Sequence, residues 1–398
     1  MTRFFLLCRF NGKDIASSMG KSEYSYWFVG QYFKKVLETM GEVVEITDEA
    51  EIPERPGDDE IVLSFAPPHQ TPVNHLSQLS PVFAWEYGSL PVEPLGGDGA
   101  WDWPSIIRQC RGVLVHSEFT ARQVSEVVPG LPVCSITVPI FERFQTVSSW
   151  MPGRNVQLVV DGIIWTREDG AGTSTWVGGV VYTYVFNPMD GRKRWEDLVS
   201  GFAAALRDEA EACLVMKLIH HDMEKAVGLV ADYVSKLGEM KCRIVVLCGF
   251  LPADAYQSLM ELSTYAVNTS CGEGQCLPLI EYMAAGRPGL APRHTAMDDY
   301  LRVDNSFVID HLPSFVPFPN DPEFKFRTWN YPVDWMSLVK ELRRSFEVAT
   351  HEPEIYQSMS EQARVSIAAI ASIETFRRKV DDFVSSLKSW ETRRDIGT

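Results

Sequence analysis

The chain has 398 residues, 45% hydrophobic and 23% charged, with a formal net charge of −16. That length supports about two domains, each with its own core, in a composition ordinary for globular protein. The acidic balance argues against a nucleic-acid partner, which would need a basic face, and leaves only a local basic patch for peripheral membrane contact.

Residues 3–10 (RFFLLCRF) predict a buried first strand, followed by a polar loop over 11–22 that contains Gly12 and Gly20. A helix is expected over 23–40 with Gly41 as its stop, then a second strand over 42–46. A strand–loop–helix–strand unit implies a parallel sheet with right-handed crossovers. Short apolar runs at 61–65, 82–85, 112–115 and 133–138 supply further strands. The pattern loosens over 141–179, where the turn-rich DGAGTST suggests a domain junction. The second half restarts with strands at 179–186, 212–218 and 243–248, helices at 195–207, 221–237 and 253–262, and a helical tail over 354–392. The expected division is 1–165, 175–370 and a tail over 371–398. Two β/α halves suggest a ligand cleft between them.

The eight cysteines form no C-x-x-C pair and no zinc spacing, so a reduced cytoplasmic protein without a metal is expected. No apolar run nears the roughly 18 residues a spanning helix needs.

The stretch 264–290 carries the strongest signal: a short apolar strand, a small-residue loop, then a helix opened by Pro278 and closed by Gly286. Such a loop aims free N–H groups of a helix N-terminus above the sheet, an anion site. Glu273 and Glu281 bracket it. Hydroxyl recognition explains the pair; compensation of the helix dipole explains Glu281 equally well. Arg192, Lys193 and Arg194 follow a strand, where they either neutralise a diphosphate or form a solvated turn. Met19-Gly20-Lys21-Ser22 ends like a phosphate loop, but Ile15 stands where that pattern needs glycine. What survives is a cleft-facing loop or an ordinary connection. Glu86 follows a strand, facing the cleft or lying solvated in its loop. Lys217, in an apolar strand, is expected to snorkel to the surface. The histidines show no ligand spacing.

Taken together, these residues resemble the retaining GT-B glycosyltransferases of the glycosyltransferase family 4-like (group 1) type. The resemblance is carried by Glu273-Gly-Gln-Cys-Leu-Pro-Leu-Ile-Glu281, the E-x7-E signature, and by the Arg192-Lys193 turn. Gly249-Phe250-Leu251-Pro252 and Ser117-Glu-Phe-Thr-Ala-Arg add to it. It implies an α/β fold of two Rossmann-like domains facing across a cleft, with C-terminal helices returning to the first domain. It implies a nucleotide diphosphate sugar as donor, a saccharide, glycolipid or other hydroxyl acceptor, and no cofactor or metal. Glu273 would bind the sugar hydroxyls, Glu281 the ribose, and Arg192 and Lys193 the diphosphate. Gly249, Phe250 and Leu251 would lie near the base, and Gly274, Gln275, Cys276 and Leu277 would approach sugar and phosphates. Gly20 would belong to the N-domain loop at the cleft, and Glu86 to acceptor or sugar binding.

Two positions depart from the family. Asn187 stands where an arginine is usual, so either Arg192 takes over its role or phosphate affinity is reduced. Glu86 stands where a histidine is common. Runner-up readings are an epimerase or inverting transferase of the same fold, and a non-catalytic sugar-nucleotide binder or assembly protein.

Overall fold

Strand β1 (Arg3–Leu7) is apolar along almost its whole length, and Phe4, Phe5, Leu6 and Leu7 are all buried. Burial on both faces marks a central strand of a parallel sheet. Helix α1 (Ser22–Leu37) leads to β2 (Glu42–Ile46), which pairs parallel with β1, and β3 (Glu60–Ser64) pairs parallel on its other side. β4 (Leu79–Phe83), helix α2 (Trp103–Ile107), β5 (Val113–Val115), helix α3 (Glu118–Val127) and β6 (Val133–Ser135) complete a six-stranded sheet of order β2-β1-β3-β4-β5-β6. The computed structural model describes residues 2–8, 19–57, 59–95, 97–319, 321 and 323–396. Most of the 11–22 loop, Gly12 included, lies outside them.

After the short helix α4 (Phe141–Phe144) comes the main correction to the sequence reading. The segment whose sequence pattern loosens forms a long antiparallel hairpin, β7 (Asn155–Thr166) and β8 (Gly170–Gly178), with a register shift between Val159 and Ile164. It extends the second sheet by pairing with β11 (Arg243–Gly249). Gly162 permits this approach, because a Cβ there would lie 2.2 Å from the Cys248 carbonyl oxygen.

The second sheet has the order β14-β13-β12-β9-β10-β11-β7-β8. Its parallel strands are β9 (Val180–Phe186), β10 (Ala212–Leu218), β11, β12 (Tyr265–Val267), β13 (Gly289–Pro292) and β14 (Ser306–Ile309). Between them run α5 (Trp195–Leu206), α6 (Met223–Ser235), α7 (Ala253–Leu262) and α8 (Leu277–Ala284). From β9 the chain winds outward through β10 and β11, then crosses back to β12 on the other side. β9 and β12 are therefore the switch point of this sheet, where α/β folds open a crevice at their strands' C-terminal ends.

A two-stranded antiparallel hairpin, β15 (Ser314–Pro317) and β16 (Arg327–Asn330), precedes three helices: α9 (Trp335–His351), α10 (Pro353–Ala371) and α11 (Ile373–Ile396). The hairpin and α9 had no counterpart in the sequence reading. α10 packs on α8, and α11 crosses to the first sheet. Phe376 of α11 meets Phe33 of α1 edge-on at 4.7 Å, and Val380, Phe383 and Leu387 join the same buried cluster. Arg111 to Glu391 at 2.6 Å and Lys388 to Asp59 at 2.7 Å fasten its far end. No helix among the described residues is long and apolar enough to cross a membrane.

Candidate active site

Strand β9 delivers the turn 187–194 to the crevice. Asp190 caps it by accepting from the Arg192 N–H, and Arg194 ends it in the left-handed region at φ 48°. Strand β12 delivers the loop 268–276, and Cys276 sits at φ 62° as it enters α8. Thr295, at φ 48°, lies on the segment that folds over that loop. Three of the four non-glycine residues with positive φ among those described thus surround one point. Such strain, of order 1–3 kcal/mol each, persists where the surroundings hold it, and it gathers at functional sites.

That point is Glu273. Its Oε1 accepts from Lys193 Nζ at 2.6 Å, Ser270 Oγ at 2.6 Å and Asn268 Nδ2 at 3.0 Å. Its main-chain N–H donates to Thr295 Oγ1 at 3.0 Å, and its carbonyl accepts from Ala296. The carboxylate is only 5% exposed. Burial pushes its pKa up, but the charges of Lys193 and Arg192 override that and hold it at about 2. Lys193 is likewise pushed down by burial and carried above its ordinary value by Glu273. Among the described residues these three side-chain donors all meet on Oε1, which leaves Oε2 for another partner.

Arg192 donates to Asp190 at 2.7 Å and to the Gly272 carbonyl at 3.0 Å, and pairs with Glu86 at 3.3 Å. Its guanidinium lies 5.9 Å from the Tyr87 ring. Glu86 is therefore a half-buried, ion-paired group rather than a solvated loop carboxylate. Burial raises its pKa, against the pull of Arg192. Two cations, Arg192 and Lys193, face three carboxylates, Glu86, Asp190 and Glu273, so the cluster carries a net charge of −1.

The glycines flanking Glu273 explain how the two domains meet here. A Cβ on Gly272 would lie 2.3 Å from the Glu86 carbonyl oxygen, and one on Gly274 would lie 2.7 Å from Ala84 Cβ. Asn187 does not join the cations. Its side-chain amide donates to the Gly20 carbonyl at 2.9 Å, tying the second sheet's first turn to the N-domain loop. Gly20 sits at φ +88°, where a side chain would be strained, and a Cβ would also crowd the Ile219 carbonyl oxygen at 3.0 Å.

Glu281 stands apart from this cluster. It is half-buried beside α7, accepting from the Tyr256 hydroxyl at 2.7 Å. Burial raises its pKa to about 7, although Tyr256 and Arg143 pull the other way. Gln275 is buried in the loop, its Nε2 without a partner among the described residues, and Leu277 opens α8. Cys276 takes a hydrogen bond on Sγ from Asn268. Across the sheet, Gly249 presses on β7, where a Cβ would lie 2.6 Å from the Asp161 carbonyl oxygen. Phe250 is 41% exposed there and Leu251 half-buried.

Lys217 is another correction. Only 5% exposed, it does not snorkel; its ammonium donates to the carbonyls of Gly249 at 2.7 Å and Leu218 at 2.9 Å. Burial lowers its pKa to about 8. Asn268, Ser270 and Thr295 escaped the sequence reading. Asn268 and Ser270 lie within five residues of Glu273, a spacing that could have pointed to them, whereas Thr295 arrives from 22 residues away.

No protein-family model matches the chain, and no curated protein matches it in sequence. Solved structures do match in shape. Anabaena HepE in complex with UDP superposes with a TM-score of 0.53 at 11% identity, covering 97% of this chain and all of that one. The fold is GT-B. An S. aureus TarM mutant in complex with fondaparinux, α-GlcNAc-glycerol and UDP gives 0.52 at 14% identity over 84% of this chain. The trehalose-6-phosphate synthase OtsA gives 0.52 at 11% identity over 83%. The chain spans 57% of the TarM chain's length and 72% of OtsA's. In GT-B terms, β9 and β12 belong to the second Rossmann-like domain, and Glu86 reaches them from the first. Among the described residues no group of three or more His, Cys, Asp or Glu could hold a metal ion.

Proposed function

We propose that this chain is a retaining glycosyltransferase that takes a sugar from a nucleoside diphosphate sugar and passes it to a hydroxyl acceptor. The observation that carries the reading is Glu273, locked by Lys193 at 2.6 Å at the switch point of a GT-B sheet with Arg192 beside it. A carboxylate held ionised at low exposure, with one oxygen uncommitted, suits the hydroxyls of a bound sugar. Arg192 and Lys193 would carry the diphosphate and stabilise it as it leaves. The main-chain amides of Gly274, Gln275, Cys276 and Leu277, at the N-terminus of α8, would assist. Glu281 would take the ribose hydroxyls by exchanging its bond to Tyr256. The base would rest against Gly249, Phe250 and Leu251. The HepE and TarM structures each hold UDP, which makes UDP the first donor to try.

Transfer with retention would proceed on one face of the sugar, with the departing diphosphate helping to deprotonate the acceptor. Glu86, across the interdomain contact, would orient that acceptor hydroxyl. A screen of UDP, GDP, ADP and TDP by thermal shift, followed by NMR assignment of the product anomer, tests the reading. Stabilisation by at least one diphosphate and a product that keeps the donor's anomeric configuration are expected. Inversion, or epimerisation of the sugar of the nucleotide sugar, would select the runner-up enzymes.

One observation favours a second reading. Asn187 spends its amide on Gly20, and Arg192 is already matched by Glu86 and Asp190. A non-catalytic sugar-nucleotide binder would fit that arrangement. It predicts diphosphate binding with no turnover on any acceptor.

A further inference from the structure

The β15–β16 hairpin leaves the second domain and reaches the first. At its base, the Tyr331 N–H donates to the Cys271 carbonyl in the Glu273 loop. Along β16, the Gly88 N–H donates to the Trp329 carbonyl at 3.0 Å, and Ser89 Oγ donates to Thr328 Oγ1 at 3.0 Å. Beyond β15, Phe318 is buried among N-domain aromatics, 5.8 Å from Trp85 and 5.4 Å from Tyr87. The hairpin is thus a strap over the mouth of the crevice, fixed at both ends.

Its two faces differ in an unexpected direction. Strand alternation turns Ser314, Val316, Thr328 and Asn330 inward, and Phe315, Pro317, Arg327 and Trp329 outward. A solvent-facing strand surface normally carries the polar set. Here Phe315 is 52% and Trp329 44% exposed, paired across the strands with ring centroids 5.1 Å apart. Exposed apolar patches beside a cleft mark recognition surfaces. This one is braced: Arg327 Nη1 donates to the Phe315 carbonyl, and a side chain on Gly88 would strike Trp329 Cβ at 2.5 Å.

We propose that this outer face is a carbohydrate platform, on which Phe315 and Trp329 stack the uncharged rings of a glycan running out of the crevice. Sugar rings have an apolar face edged by hydroxyls, which matches two paired aromatics rimmed by a guanidinium donor. The position suits an acceptor chain. Trp329 abuts Gly88, two residues past Glu86, so at most about 7 Å of main chain separates the edge of the platform from that residue. Charge disfavours a lipid surface. Over 310–330, three acids (Asp310, Asp321, Glu323) outnumber two bases (Lys325, Arg327), whereas anionic headgroups call for basic clusters. Describing the glycan as an acceptor rests on the transferase reading; the platform itself does not.

The test compares wild type with Trp329→Ala and with the Phe315→Ala/Trp329→Ala pair, both exposed positions. Calorimetry would use hexamers of α-glucan, β-glucan, chitin and mannan, with the matching monosaccharides. Parallel arms would use phosphatidylglycerol vesicles and UDP. The expected result is binding of at least one hexamer, weakened 10-fold or more by Trp329→Ala, with monosaccharides far weaker and UDP unaffected. The proposal is overturned if no hexamer distinguishes wild type from the double variant, or if Trp329 governs vesicle binding instead. Failure of the nucleoside diphosphates to bind would sink the transferase reading separately, leaving the hexamers to judge the platform.

Discussion

Replacing Glu281 by Gln removes a charge that the native state holds at a cost. Burial between α7 and α8 raises this carboxyl from 4.5 to about 7, and neither the Tyr256 hydroxyl nor Arg143 compensates fully. Because the folded value is the higher one, the native state binds more protons than the unfolded chain between those pH values. Stability is therefore full below about pH 4.5 and falls as pH rises through 7. An interval of about 2.5 pH units at about 1.4 kcal/mol each sets an upper limit of about 3.5 kcal/mol. Half-burial and the new amide's own needs reduce the expected gain to about 1–2 kcal/mol. Glu281→Gln keeps an acceptor for Tyr256 and should unfold at higher urea than wild type at pH 8, with the two curves converging near pH 4.5. If Glu281 takes the ribose, the same variant should bind UDP about 10-fold more weakly, or about 1.4 kcal/mol. Parallel stability curves from pH 4.5 to 8, or a variant less stable at pH 8, would refute the reasoning.

Three further outcomes are expected. Glu86→Gln removes one of the carboxylates that compete with a diphosphate for Arg192, which it pairs at 3.3 Å; at an effective dielectric of about 20 a charge a few ångströms away is worth a few kcal/mol before screening. UDP should therefore bind several-fold to about 10-fold tighter by calorimetry, least so at high salt, while turnover falls. Lys193→Met leaves Glu273 buried without its main counter-charge and should cost about 3–5 kcal/mol in urea unfolding at pH 7. Since Glu273 is held down at about 2, the native pair's contribution is present above pH 4.5 and lost as pH falls toward 2, and adding Glu273→Gln should restore much of the loss. Gly20→Ala, at φ +88° and against the Ile219 carbonyl, should cost about 1–2 kcal/mol and open the interdomain contact, read as faster proteolysis between the domains.

Much of the crevice was legible because its signals are local. Pro278 and Gly286 delimit α8 by backbone geometry alone, and Gly272 and Gly274 stand beside Glu273 in the chain. The pairing of Arg192 with Glu86 was not legible, since it joins residues from different domains through the Gly272 contact. The β7–β8 hairpin was missed because its glycines and threonines look like turn chemistry until an open sheet edge is supplied. Lys217 was misjudged for a related reason. Its partner, the Gly249 carbonyl, lies 32 residues away on the next strand.

Sequence by itself determined the alternation of strand and helix, the loops at the strand ends, and the residue types gathered there, because caps, turns and apolar runs act over a few positions. Tertiary structure alone decided which charges face one another and how far each is desolvated. Coulomb interaction and burial depend on distance in space, so Glu273 near pH 2 and Glu281 near pH 7 come from two glutamates eight residues apart on one short motif.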